Sequence, residues 1–123
     1  MVFEVKRSVL LHCSHQAISG RSGCTRLHGH TFAVTLVCES DRLDESGFSV
    51  DFFDFDAVMA AIRERFDHRH LNDLIELPTC EGLAMAIFAM AKPLLSTLCR
   101  IEIDETGIGT VVYRPSLTDT GAS

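Results

Sequence analysis

The alternation of apolar and polar positions divides the chain into six elements. Val2 to His15 is rich in β-branched and apolar side chains and predicts a strand. From His30 to Glu39, Phe32, Val34, Leu36 and Cys38 alternate with Thr31, Ala33, Thr35 and Val37. This predicts a second strand with both faces at least partly covered. Asp41 to Gly47 is polar and turn-like. Phe48 to Asp51 then leads into a helix on which Phe55, Val58, Met59, Ile62 and Phe66 recur at helical spacing, with Asp51 or Asp54 as its cap. A second helix is expected from Thr79 to Ala91. Thr79 caps it, Glu81 suits its positive end, Leu83, Ile87 and Met90 form its buried stripe, Gly82 weakens its first turn and Pro93 ends it. Arg100 to Asp104 alternates Ile101 and Ile103 with charged residues, and Thr110 to Tyr113 follows across the Gly107 to Gly109 turn. The order predicts an α+β fold: a four-stranded, mainly antiparallel sheet with two helices on one face. Phe32, Val34 and Leu36 face one way and Ala33 and Val37 the other, so the face away from the helices is expected to pack in an oligomer.

Composition narrows the picture. With 123 residues, 46% of them hydrophobic, the chain has material for one core, expected in a single domain over 1–115. Residues 116–123 carry Leu117 as their only large apolar side chain and are expected to form a flexible tail. A formal charge of −6 argues against a general binder of nucleic acid or anionic membrane, which needs a basic field. Glu4, Lys6 and Arg7 interrupt the apolar start, unlike the core of a signal peptide, and no apolar run is long enough to span a membrane. The five cysteines are odd in number and show no paired spacing, which points to a reducing cytoplasm. Of these, Cys13, Cys38, Cys80 and Cys99 read as small buried or half-buried residues.

Three clusters carry chemistry. Cys24-Thr25-Arg26-Leu27-His28-Gly29-His30 places a thiol and two imidazoles within seven residues. Residues two apart on a strand share a face, so His28 and His30 can present both rings to one ion, and three nitrogen ligands with one open position describe a catalytic zinc site. His12 and His15 are the candidates for the third ligand. In the second cluster, Asp67-His68-Arg69-His70, an Asp beside a His fixes its tautomer or stabilises its cation. In the third, Glu105-Thr106, a carboxylate at a strand end can accept a pair of N–H groups in a charge-assisted fork. Cys24 is open to two readings: a catalytic thiolate beside the metal, or a fourth ligand closing a structural site of one cysteine and three histidines in a non-catalytic module. A zinc hydrolase with Asp67 as its base is a further alternative.

Together, Cys13-Ser14-His15, Cys24-x-x-Leu27-His28-Gly29-His30, Asp67-His68-x-x-Leu71-Asn72, Pro78-Thr79-x-Glu81 and Glu105-Thr106 resemble the 6-pyruvoyl-tetrahydropterin synthase superfamily, from about Phe3 to Arg114. Within it, the three residues between Cys24 and His28 resemble the bacterial 6-carboxy-5,6,7,8-tetrahydropterin synthases of queuosine biosynthesis. The resemblance implies a T-fold, with sheets of several subunits joined into a barrel and two rings forming a homohexamer. It implies zinc on His15, His28 and His30, Cys24 as base, His68 with Asp67 as its relay, and Glu105 with Thr106 at the pterin. The implied reaction converts 7,8-dihydroneopterin triphosphate to 6-carboxytetrahydropterin, acetaldehyde and triphosphate, with pyruvoyl formation without side-chain cleavage as the alternative. His12 is then an unmatched strand residue. The chain departs from the family's usual pattern at Cys13, Gln16 and Gly82.

Overall fold

The computed structural model describes residues 1–17 and 26–115. Strand β1 (Phe3–His15) and strand β2 (His28–Ser40) are followed by a 3-10 turn (Phe52–Phe55), helix α1 (Asp56–Phe66), a two-residue strand β3 (Arg69–His70), helix α2 (Cys80–Ala91), strand β4 (Leu98–Glu105) and strand β5 (Gly109–Tyr113). The sheet order is β3-β1-β2-β4-β5. The expected α+β architecture is observed, with one addition to the expected four strands. Short β3 pairs parallel with β1, setting Cys13 opposite Arg69 and Ser14 opposite His70. Two residues show no periodicity, so this strand left no trace in the hydrophobic pattern.

β1 and β2 form an antiparallel ladder from Phe3↔Ser40 to His15↔His28. Alternation sends Val9, Leu11 and Cys13 of β1, Phe32, Val34, Leu36 and Cys38 of β2 and Ile101 and Ile103 of β4 into one core with Phe55, Val58, Met59, Ile62 and Phe66 and with Leu83, Ile87 and Phe88. Removing these side chains from water, about 1.5–3 kcal/mol for each large one, holds both helices on this face. Asp51 accepts from the Phe53 N–H and so caps the 3-10 turn, while Thr79 accepts from the Gly82 N–H at the start of α2. Gly82 has a packing reason: a Cβ there would lie 1.8 Å from the Leu77 carbonyl oxygen, so no larger residue fits this approach of the loop to the helix.

On the other face, Arg100 is 6% exposed and sits among Glu4, Glu39 and Glu102. Leu10 and Val112 remain exposed. Among the described residues no helix is long and apolar enough to cross a membrane, and Cys13, Cys38, Cys80 and Cys99 are free thiols.

Candidate active site

The last rungs of the β1–β2 ladder build the site. His15 lies opposite His28 and Cys13 opposite His30, so the three histidines share the face that carries the core. β4 pairs Glu105 with Phe32, two residues beyond His30, which brings its carboxylate to the same spot. One ligand atom from each of His15, His28, His30 and Glu105 lies within 4.8 Å of the others. The ring centroids of His15 and His28 are 4.3 Å apart, and those of His28 and His30 are 4.7 Å apart.

The outward nitrogens are fixed by backbone. His15 Nδ1–H donates to the Pro78 carbonyl at 2.7 Å, and His28 Nδ1–H donates to the Arg26 carbonyl at 2.6 Å. A carbonyl only accepts, so each ring carries a proton on Nδ1 and directs Nε2 into the cluster. His15 Nε2 is buried and has no hydrogen-bond partner among the described residues. A buried orphan acceptor costs about 1–3 kcal/mol unless something meets it. A divalent cation that favours imidazole fits this donor set: pre-oriented ring nitrogens and a nearby carboxylate. Burial pulls the His30 pKa below its ordinary value, against the opposing charge of Glu105, which favours the neutral ring that a metal needs.

Glu105 is held from two sides. Its Oε1 lies 2.8 Å from His30 Nε2 and 3.9 Å from His15 Nε2, while Oε2 accepts from the Cys80 thiol at 3.7 Å. Burial, and then the charge of Glu105, push the Cys80 pKa up to about 12, so the sulfur is a neutral donor. The group opens into a cleft of about 390 Å³, walled by Thr79, Cys80 and Glu81 at the start of α2 and by the β4–β5 hairpin from Ile108 to Val111.

The other expected residues fall elsewhere. His12 lies on the opposite face of the sheet, its Nδ1 3.1 Å from the Thr31 hydroxyl. Asp67 and His68 belong to that side too. The His12 N–H donates to Asp67 Oδ1 at 2.8 Å, the His68 N–H donates to the His12 carbonyl at 2.7 Å, and Asp67 Oδ2 meets His68 Nδ1 at 3.1 Å. The His12 N–H is the main cause of Asp67's lowered pKa, ahead of the neighbouring His68. His68 reaches this position in the left-handed region, with φ of 58°. Asp67 and His68 therefore form the expected pair, but within one chain the sheet lies between them and the histidine cluster. The Thr106 hydroxyl donates to the Thr31 carbonyl at 2.9 Å and lies outside the cleft lining. Cys24 falls outside the described residues.

Three positioning contacts escaped the sequence: the Pro78 carbonyl on His15, the Cys80 thiol on Glu105, and Asn72. Asn72 accepts from the Gln16 N–H at 2.8 Å and donates to the Gln16 carbonyl at 2.7 Å, tying down the chain just past His15. Asn72 and Pro78 stand in the matched motifs, which signalled importance without a role.

Comparison with known proteins agrees with the motifs. Residues 4–116 match the family model described as 6-pyruvoyl tetrahydropterin synthase. A 6-carboxy-5,6,7,8-tetrahydropterin synthase of Bacillus subtilis is 30% identical over 92% of this chain and 86% of its own length. A putative 6-carboxy-5,6,7,8-tetrahydropterin synthase of Archaeoglobus fulgidus is 37% identical over 59% of this chain, a match that spans 63% of the relative's length. In structure, 6-pyruvoyl tetrahydropterin synthase of Caenorhabditis elegans superposes with a TM-score of 0.83 at 20% identity, covering 94% of this chain and 97% of that one. This chain belongs to the 6-pyruvoyl tetrahydropterin synthase family.

Proposed function

We propose that the domain over 1–115 is a zinc-dependent lyase that converts 7,8-dihydroneopterin triphosphate to 6-carboxy-5,6,7,8-tetrahydropterin, acetaldehyde and triphosphate. The observation that carries this reading is the cleft in which His15, His28 and His30 turn toward one point beside Glu105, with His15 Nε2 buried and without a partner among the described residues. The names of the Bacillus and Archaeoglobus relatives favour the carboxy product.

In this reading His15, His28 and His30 hold zinc, which supplies Lewis-acid stabilisation of charge developing on side-chain oxygens. Glu105 accepts from the 2-amino and N3 edge of the pterin, a planar pair of donors suited to one carboxylate, and so sets the ring's place in the cleft. Cys24, between two of the ligands in sequence, removes a proton from a side-chain carbon; a free thiol has a pKa of ~8.5, so a nearby cation is needed to make it a thiolate. His68, steadied by Asp67, exchanges that proton. Because this pair lies across the sheet from the histidines, it would act on the site of an adjoining copy, consistent with a homohexamer whose sites fall at subunit boundaries. Counting oxygens, formation of a carboxylate and an aldehyde with loss of triphosphate consumes one water.

The test is incubation of zinc-loaded protein with 7,8-dihydroneopterin triphosphate and identification of products by mass spectrometry. 6-Carboxytetrahydropterin with acetaldehyde supports the proposal, a 6-pyruvoyl product replaces it with simple elimination, and absence of pterin consumption overturns both. The shared-site arrangement has its own measurement. Cys24→Ala and His68→Ala proteins, each inactive, should regain turnover when unfolded and refolded together, whereas an unshared site would leave the mixture inactive.

A further inference from the structure

Position 80 is the one that the Pro78-Thr79-x-Glu81 motif leaves open, and in this chain it carries a thiol inside the candidate cleft. Cys80 is the first residue of α2, fixed there by the Thr79 cap, and only 7% of it is exposed. Its Sγ faces the end of β4 and donates to Glu105 Oε2 at 3.7 Å. The carboxylate's other oxygen lies 2.8 Å from His30 Nε2.

We propose that Cys80 is a positioning residue for pterin recognition: its thiol holds one oxygen of Glu105, so that the plane of the carboxylate stays aligned with the donor edge of a bound pterin. The inference rests on Glu105 being the pterin anchor. A carboxylate on a flexible side chain has to lose rotamer freedom before it can accept two N–H groups in one plane, and a contact that holds it in the empty site removes part of that cost from binding. Each carboxylate oxygen has about two acceptor directions, so Oε2 can keep the thiol while accepting from the ligand. Cys80 itself is expected to touch neither the metal nor the reacting carbons. Its loss should therefore appear in the KM for the pterin and leave kcat largely intact.

The experiment compares Cys80→Ala, Cys80→Ser and Glu105→Gln in full-length, zinc-loaded protein. The probe is neopterin, which presents the same 2-amino and N3 edge, with binding followed by its fluorescence and zinc content measured alongside. Cys80→Ala is expected to weaken neopterin about fivefold and to raise the KM for 7,8-dihydroneopterin triphosphate by a similar factor, with zinc content and kcat unchanged. Cys80→Ser, which restores a donor, should recover most of that loss. Weak binding by Glu105→Gln together with wild-type binding by Cys80→Ala overturns the role of Cys80 alone. Wild-type binding by Glu105→Gln overturns the anchor itself, and the Cys80 inference with it. Should Cys80→Ala misfold, Cys80→Ser against wild type still decides: a serine variant that folds, keeps its zinc and binds neopterin fivefold worse contradicts rescue by a donor.

Discussion

His15 and Arg100 are the buried polar side chains among the described residues, 7% and 6% exposed, and the fold treats them in opposite ways. Arg100 is fully engaged. Its Nε donates to Glu102 at 2.8 Å, its terminal nitrogens grip both oxygens of Glu4 at 2.9 and 3.1 Å, and Glu39 stands 3.8 Å away. Glu4 first, and then Glu102, raise its pKa. His15 is half engaged: backbone takes one nitrogen and the other faces its neighbours with no hydrogen bond. A buried group whose partners are all supplied by the described residues is structure, whereas a buried group oriented by backbone on one side and unpartnered on the other among those residues has the form of a ligand-ready donor.

The contrast can be broken in several ways. The largest effect is expected from His15→Ala, which should lower bound zinc and cut pterin turnover on the order of a thousandfold or more, read by metal analysis and a steady-state assay. Next, zinc itself should stabilise the wild-type fold by about 2.7 kcal/mol when free zinc is a hundred times its dissociation constant. Thermal melts with and without chelator should show that increment in wild type and Arg100→Ala but not in His15→Ala. Arg100→Ala should cost about 2 kcal/mol in urea unfolding, less than a fully buried pair loses because Glu4 and Glu39 remain partly in water, with turnover per folded molecule unchanged.

The smallest effect is on pH. Glu4, held by Arg100, has its carboxyl lowered from 4.5 to about 2. A depressed folded-state pKa gives stability that is complete above the unfolded value and is lost as pH falls toward 2. In chelator-treated protein, Glu4→Gln should flatten the part of the urea-midpoint profile between pH 4.5 and 2. An unchanged slope would remove Glu4 from the account of Arg100.

Much of this was legible in the chain because it depends on local repetition. Strand alternation and the i, i+2 spacing of His28 and His30 fixed which residues share a face, and Thr79 caps α2 as its hydroxyl suggested. An antiparallel return puts the end of one strand opposite the start of the next, which made His12 and His15 the candidates, and the resemblance singled out His15. What stayed hidden depends on single turns. His68 takes a left-handed conformation in the single turn after α1, and β3 consists of the two residues that follow it. The β2–β4 register brings Glu105 to the histidines of its own chain, a pairing between distant strands that no local pattern encodes. The contact between Cys80 and Glu105 joins positions 25 apart through the packing of a helix end on a strand end, which no periodicity encodes.

The last rung of the β1–β2 ladder has an evolutionary consequence. Because His15 ends one strand and His28 begins the next, residues 16–27 leave from one candidate ligand and return at another. Insertions or deletions inside that connection leave the rungs behind it in register, since thirteen paired positions hold them. The histidines are thereby insulated from changes in the segment that carries Cys24. Such an arrangement lets mutation change the length and composition of the connection over an unchanged set of donor side chains.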